Sequence, residues 1–188
     1  MKRILIPVAL TVMVLFQSGV QAEELLTLTY DAATYDKAPI LYPSACTINL
    51  IEVSDQRNNK ETIGTSVTAL HAGESLTWLN AGLDNLKAYG FKVQRGSAPV
   101  GGAVNLNVRL IRAYTWAGGM RINGTVAVDL GVLQTDGREE VIKVRAAGSK
   151  ANMMGAKSEF LTALNYAANN AYGSMASTLQ GMCSRNKS

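Results

Sequence analysis

The sequence has few of the side chains that carry catalysis or bind metals. His71 is its only histidine, and Cys46 and Cys183 are its only cysteines. Metal sites need several such ligands at close spacing, and no Cys-x-x-Cys or His-x-x-x-His pattern occurs. The hydrolase motif Gly-x-Ser-x-Gly and the phosphate-binding motif Gly-x-x-x-x-Gly-Lys-Ser/Thr are also missing. We therefore predict a protein that is not an enzyme and holds no metal or cofactor.

Long apolar runs are missing too, except at the start of the chain. Lys2-Arg3, the apolar run Ile4–Phe16 and the small residues of Val20–Ala22 form the pattern of a secretory signal peptide. The run is short for a bilayer span, although an uncleaved anchor is the alternative. We predict a signal peptide at residues 1–22, no transmembrane span in the mature chain, and export to the periplasm, with peripheral association with the outer membrane as a further option.

The mature chain has little excess charge of either sign. After removal of residues 1–22 it has sixteen Lys and Arg against fourteen Asp and Glu, which leaves a net charge of about +2. Nothing in this balance requires nucleic acid as a partner. The length fits one domain. We predict an extended segment at 23–44, a domain at 45–183 and a frayed tail at 184–188.

The two cysteines lie in the predicted mature chain, near its two ends. An even pair in an oxidising compartment favours a disulfide, and two separate thiols are the alternative. A bond between Cys46 and Cys183 would join the first strand to the last helix. In the loop-entropy model such a bond stabilises the fold by about 4–5 kcal/mol.

A long hairpin, residues 100–133, dominates the pattern of the chain. Its first strand alternates apolar with polar residues, and so does its second, so one face is predicted to cover a core. The polar face carries Asn105, Asn107, Arg109, Asn123, Thr125 and Asp129. Gly118-Gly119 is predicted to form the turn.

The remaining pattern predicts strands and two amphipathic helices. Strands are expected at Cys46–Ser54, Phe91–Gln94 and Glu140–Ala147, with a loop at Gly148–Gly155. Helices are expected at Glu74–Tyr89 and Ala156–Met182. The order predicts an α+β two-layer sandwich, in which a mostly antiparallel sheet of about four or five strands carries both helices on one face.

Two groups of residues are candidates for interaction or ligand binding. One is a basic and aromatic surface on the hairpin, made of Arg109, Arg112, Tyr114, Trp116 and Arg121. A solvated sheet face is the simpler interpretation of the same residues. The other group is Asp55, Gln56 and Arg57, which directly follow the first strand. A polar turn that fixes the end of the strand explains this group without a ligand.

The second group also carries a family resemblance. The strand ending Asp55-Gln56-Arg57, the pair Ile63-Gly64 and the helix closing on Tyr89-Gly90-Phe91 are followed by a hairpin rich in Val and Asn. With its signal peptide, the chain resembles the YajG-type family of bacterial envelope lipoproteins. The resemblance implies a Gram-negative envelope protein without an established activity, and it implies no catalytic residues. The chain departs from the family because it lacks the lipidation cysteine and carries the Cys46 and Cys183 pair.

Three hypotheses for the function follow. The leading one is a non-enzymatic envelope protein that acts through protein–protein contacts as an accessory or assembly factor. The alternative is a module that binds a small ligand or glycan with Tyr114, Trp116 and the neighbouring arginines, which a concave pocket would favour. The third is a hydrolase, which would require Asp55, Arg57 and His71 to meet in one cleft.

Overall fold

The computed structural model describes residues 27–34, 39–43, 46–64, 70–71, 74–134 and 136–185. The predicted signal peptide lies outside the described residues, and so do residues 186–188 of the predicted tail. None of the helices in the described ranges combines the length and the apolar character that a bilayer crossing requires.

Within these described ranges the fold consists of a five-stranded sheet, a two-stranded hairpin, two α-helices and two short 3₁₀ helices at Ala32–Thr34 and Asn85–Tyr89. The strands and α-helices in chain order are β1 (Thr47–Asp55), β2 (Thr62–Ile63), β3 (Leu70–His71), α1 (Ser75–Asp84), β4 (Lys92–Arg95), β5 (Val104–Gly118), β6 (Arg121–Leu133), β7 (Glu139–Ala151) and α2 (Lys157–Arg185).

The large sheet is mixed, with the strand order β4-β1-β5-β6-β7. Its longest ladders, β5 with β6 and β6 with β7, are antiparallel, whereas β1 runs parallel to both β4 and β5. Helix α2 packs on β5, β6 and β7, and α1 packs on β1. The predicted α+β class, with both helices on one side of a five-stranded sheet, is confirmed.

The alternation in β5 and β6 follows the predicted period of two. The even-numbered residues of β5 from Val104 to Leu110 and of β6 from Ile122 to Val132 are buried under the helices. The odd-numbered side chains of these stretches lie on the opposite side, which we call the outer face. In the connecting turn only Gly119 adopts a positive φ, of 61°, and Gly118 is the last residue of β5. The predicted Gly-Gly turn is therefore shifted by one residue.

Two paired glycines of the sheet let α2 approach it closely, because no side chain separates the two backbones there. Gly124 of β6 faces Gly148 of β7. A Cβ at Gly124 would lie 2.4 Å from the carbonyl oxygen of Ala163, and one at Gly148 would lie 2.4 Å from the backbone nitrogen of Ala167. The prediction of a loop from Gly148 onward is wrong, because Gly148 serves this close approach and β7 continues to Ala151.

Helix α2 also contacts α1 and the N-terminal segment. The Tyr172 ring of α2 fills the space above Gly82 of α1, and its hydroxyl donates to the Leu79 carbonyl at 3.2 Å. Asn165 and Asn169 of α2 donate to the carbonyls of Thr29 and Asp31, each at 3.0 Å. The part of the predicted extended segment around Thr29 and Asp31 therefore lies along the helix.

A disulfide joins the start of β1 to the last turn of α2, as the sequence predicts. Cys46 and Cys183 are bonded, and their Cα atoms lie 5.5 Å apart. Ser184 and Arg185, which lie in the predicted tail, belong to α2. The Ser184 hydroxyl donates to the Gln180 carbonyl, which continues the last turn.

Candidate functional site

A change of register in β5 decides which residues share the outer face. The pairing with β6 shifts between Leu110 and Arg112, so Ile111 is an extra residue that forms a β-bulge. Strict alternation would place Arg112, Tyr114 and Trp116 on the core side. Because of the bulge, these three side chains lie on the outer face with Arg109. We call them the aromatic row.

The side chains of the aromatic row contact one another in sequence along β5. The guanidinium carbon of Arg112 lies 5.3 Å from the centroid of the Tyr114 ring, which is a cation–π distance. The ring centroids of Tyr114 and Trp116 are 6.1 Å apart, with their planes tilted by 30°. The row is therefore a strip of two rings with a cation at one end.

The neighbours of the row on β6 and β7 are small or polar. Thr125 pairs with Tyr114, Asn123 with Trp116 and Ala127 with Arg112. On β7, Ala147 pairs with Thr125, Ser149 with Asn123 and Arg145 with Ala127. Tyr114 and Trp116 are half-buried beside these neighbours, and Arg145 adds a second cation on the same face. The surface suits an extended or planar ligand group better than an enclosed one.

Arg109 lies on the same face but is engaged in an ion pair. Its Nη2 donates to both carboxylate oxygens of Glu139, at 2.6 and 2.8 Å, and Asn107 donates to the same carboxylate at 3.0 Å. The Glu139 side chain passes over Gly131 of β6. A Cβ added at Gly131 would lie only 1.8 Å from Oε1 of Glu139. The hydrogen bond from Asn107, with the charge of Arg109, holds the pKa of Glu139 below its usual value. This group stabilises the sheet.

Arg121 lies at the far end of the outer face, paired with Gly118. Its Nη2 donates to the Ser149 hydroxyl at 2.7 Å. The outer face thus carries Arg112, Tyr114, Trp116 and Arg121 on one half.

Asp55 and Arg57 form a separate site at the end of β1. Nε and Nη2 of Arg57 donate to the Asp55 carboxylate at 2.9 and 2.7 Å, and both side chains are buried. The Ser75 hydroxyl at the start of α1 donates to the same carboxylate at 2.8 Å. Burial raises the pKa of Asp55, but the hydrogen bonds from Arg57 and Ser75 outweigh it and the pKa is lowered.

These bonds join the end of β1 to the start of α1. The Arg57 amide also donates to Oδ1 of Asp55 at 3.1 Å, and the Gln56 amide donates to the Leu110 carbonyl at 2.9 Å. The geometry agrees with the interpretation as a structural turn. Asp55 pairs with Leu110 on the sheet, before the bulge, so this site is distinct from the aromatic row.

Other candidate sites are less developed. An open groove lies between α1 and the strands β1 and β4, lined by Leu50, Ile51, Val53, Asn80, Arg95, Gly96 and Ser97. It does not include the aromatic row. The described residues contain no group of three His, Cys, Asp or Glu side chains that could hold a metal ion. The backbone of His71 lies in β3, paired with Thr62.

Sequence reasoning missed three exposed methionines at the end of the sheet beyond the aromatic row. Met120 is 86% exposed, Met153 78% and Met154 90%. Met120 lies in the β5–β6 turn, and the other two follow β7. Met120 carried a sequence signal of exposure, because it lies in a glycine-rich turn and a turn residue is not covered by the sheet.

Comparisons with known proteins give no assignment. No family model matches the chain, and no curated protein matches it. A crystal structure of a Xanthomonas campestris protein of the family DUF330 is similar over 84% of this chain and 94% of that chain, with 14% identity and a TM-score of 0.45. A minor lipoprotein from Acinetobacter baumannii is similar over 79% of this chain and 96% of its own, with 13% identity and a TM-score of 0.32. The resemblance to the YajG-type family stays a prediction.

Proposed function

We propose that this chain is an exported envelope protein that binds another envelope protein through the aromatic row, as an accessory or assembly factor and not as an enzyme. Two observations support the location. The first is the signal-peptide pattern at residues 1–22. The second is the disulfide between Cys46 and Cys183, which suits an oxidising compartment.

The aromatic row is the observation that carries the proposal. Tyr114 and Trp116 lie on the sheet face that does not contribute to the core, so the fold has no need of aromatic side chains there. Aromatic residues and arginine are enriched among the residues that dominate binding energy at protein interfaces. The contact between the Arg112 guanidinium and the Tyr114 ring combines an arginine and an aromatic side chain on one surface.

The face is a better candidate for the contact than the sheet edges. Along β5 beyond Leu110, Gly64 lies beside the Thr115 carbonyl, where an added Cβ would be 2.9 Å from the oxygen. Along β7 the Ala147 carbonyl already accepts a hydrogen bond from Asn170 at 2.8 Å. These two positions are therefore partly covered, and a strand added at either one would meet these groups; β4, the other outer strand of the sheet, is only four residues long.

A glycan-binding module is the second candidate. The two neighbouring rings, tilted by 30°, resemble a platform on which a sugar ring stacks. A flat platform binds weakly without a surrounding pocket, and the groove beside α1 does not adjoin it. Titration with envelope glycans followed by tryptophan fluorescence tests this candidate, because Trp116 would report stacking directly.

The experiment for the leading proposal is cross-linking in intact cells, followed by purification of the mature protein and mass spectrometry. Wild type is compared with Tyr114→Ala/Trp116→Ala and with Arg112→Glu, which keeps both rings. Leu76→Ala, which removes an exposed apolar side chain from α1, is the matched control. We expect one reproducible envelope partner in wild type and control that is lost in the row variants. The same partner in all four proteins, or none in wild type, contradicts the proposal.

A further inference from the structure

The three exposed methionines lie on one ordered end of the molecule. The Asn152 amide donates to the Met120 carbonyl at 2.8 Å, which joins the loop after β7 to the β5–β6 turn. We call this end the methionine tip and define it by Met120, Met153 and Met154. It is separate from the aromatic row and from the protein contact proposed above.

The backbone of the methionine tip is fixed by hydrogen bonds. The Glu159 carboxylate accepts from the amides of Met153 and Met154 at 3.2 and 3.1 Å, and from the Ala156 amide at 3.2 Å. Because these bonds hold the loop from within, the two methionine side chains point away from the fold. Large apolar side chains displayed together on a fixed loop mark a binding surface.

The charge around the tip is positive. The stretches 117–121 and 149–159 contain three basic residues, Arg121, Lys150 and Lys157, and one acidic residue, Glu159. The adjacent Glu159 already binds three amides and lies 3.7 Å from the Lys150 ammonium. Apolar side chains bordered by cations are the combination that binds an anionic membrane surface.

The chain also enters the fold at this end. The carbonyls of Thr29 and Asp31 are bound by Asn165 and Asn169, so the N-terminal segment runs in the same direction as α2. The described chain begins at residue 27, before Thr29. This start lies about one helical turn nearer to the N-terminus of α2 than Asn165 does.

We infer that the methionine tip is a docking surface for an anionic phospholipid bilayer. The unbranched methionine side chains enter the boundary between headgroups and acyl chains, and Arg121, which borders the tip on the outer face, contacts lipid phosphate. The contact is peripheral, because three side chains reach only the outer part of one leaflet.

The test uses the full mature protein and vesicles of phosphatidylglycerol with phosphatidylethanolamine, compared with phosphatidylcholine alone. We expect cosedimentation with the anionic vesicles only, weakened by added salt. Replacing the methionines (Met120→Ser/Met153→Ser/Met154→Ser) should weaken it at least about tenfold. The matched control is Ile40→Ser/Leu41→Ser, which removes two side chains, 68% and 71% exposed, away from the tip. Equal binding by both variants, or by both lipid mixtures, overturns the inference.

A second measurement locates the contact without relying on a variant that loses binding. Tryptophan is introduced as Met153→Trp or as Leu41→Trp, and its quenching by brominated lipids is compared with that of wild type. We expect added quenching at position 153 and none at 41. If instead the tip mediates a dimer that the triple methionine variant abolishes, the surface belongs to a second copy and the membrane assignment is wrong. This result leaves the proposed role of the aromatic row untouched.

Discussion

Replacement of Gly148 by alanine tests the packing of α2 on the sheet. The added Cβ would lie 2.4 Å from the Ala167 nitrogen and 2.5 Å from the Tyr166 Cβ. Carbon atoms in contact lie about 3.5–4.0 Å apart, so the helix must move by about 1 Å. The obstructing atoms include helix backbone, which cannot turn away as a flexible side chain can.

The expected cost follows from that displacement. Gaps of 0.5–1 Å forfeit about a quarter to a half of each dispersion contact. Ala163, Ala167 and Ala171, which are fully buried, would lose contact with the sheet. We therefore expect Gly148→Ala to lower the free energy of unfolding by about 1–3 kcal/mol, the usual range for overpacking.

Gly181→Ala is the matched control for this prediction. Gly181 lies in α2 with no atom within 4 Å of its Cβ position, and it is exposed. Alanine is the better helix former, so this change should raise stability by about 0.5–1 kcal/mol. Urea unfolding followed by circular dichroism measures both variants. Equal effects of the two substitutions, or no loss for Gly148→Ala, would refute the close approach of α2.

Three further predictions concern the disulfide and the end of β1. Cys46→Ser/Cys183→Ser should lower stability by about 4–5 kcal/mol, since the bond spans 137 residues, and reduction of wild type should give the same urea midpoint. Arg57→Ala leaves the buried Asp55 carboxylate without its cation and should cost about 3 kcal/mol by thermal or urea unfolding. The lowered pKa of Asp55 stabilises the fold above about pH 4, and this contribution is lost as the pH falls through the folded-state value. Asp55→Asn should therefore reduce the loss of unfolding free energy below about pH 4. An unchanged pH dependence would contradict the lowered pKa of Asp55.

The hairpin and both helices could be predicted because their burial follows one period. The even-numbered residues of 104–110 and 122–132 are all buried, and the covering helices have apolar stripes. The end of β7 could not be predicted, because glycine ordinarily signals a loop. At Gly148 it instead makes room for the backbone of α2, which is a tertiary requirement that no local pattern reveals.

The candidate site was predicted in composition but not in geometry. Arg112, Tyr114 and Trp116 stand two residues apart, which places them on one face of any strand. Which face they occupy depends on the bulge at Ile111, and the sequence there carries no glycine or proline to signal it. Arg109 was grouped with the row from its residue type, whereas its charge is used by Glu139, thirty residues later in the chain.

The methionine tip was missed because methionine is usually a core residue, and only Met120, in a glycine-rich turn, carried a sequence signal. Its exposure results from a two-residue turn at Gly119-Met120 and from a loop held by Glu159. Both are local hydrogen-bonding arrangements that fix backbone direction, and hydrophobic periodicity does not report them.

The central claim is that the aromatic row contacts a partner protein in the envelope. A photo-activatable phenylalanine analogue placed at Thr125, the β6 neighbour of Tyr114, tests it in living cells, with Ser177 on the exposed side of α2 as the control position. We predict a discrete cross-linked product from position 125 that disappears with Trp116→Ala, and none from position 177. The same product from both positions, or a product from 125 that persists without Trp116, would contradict the account.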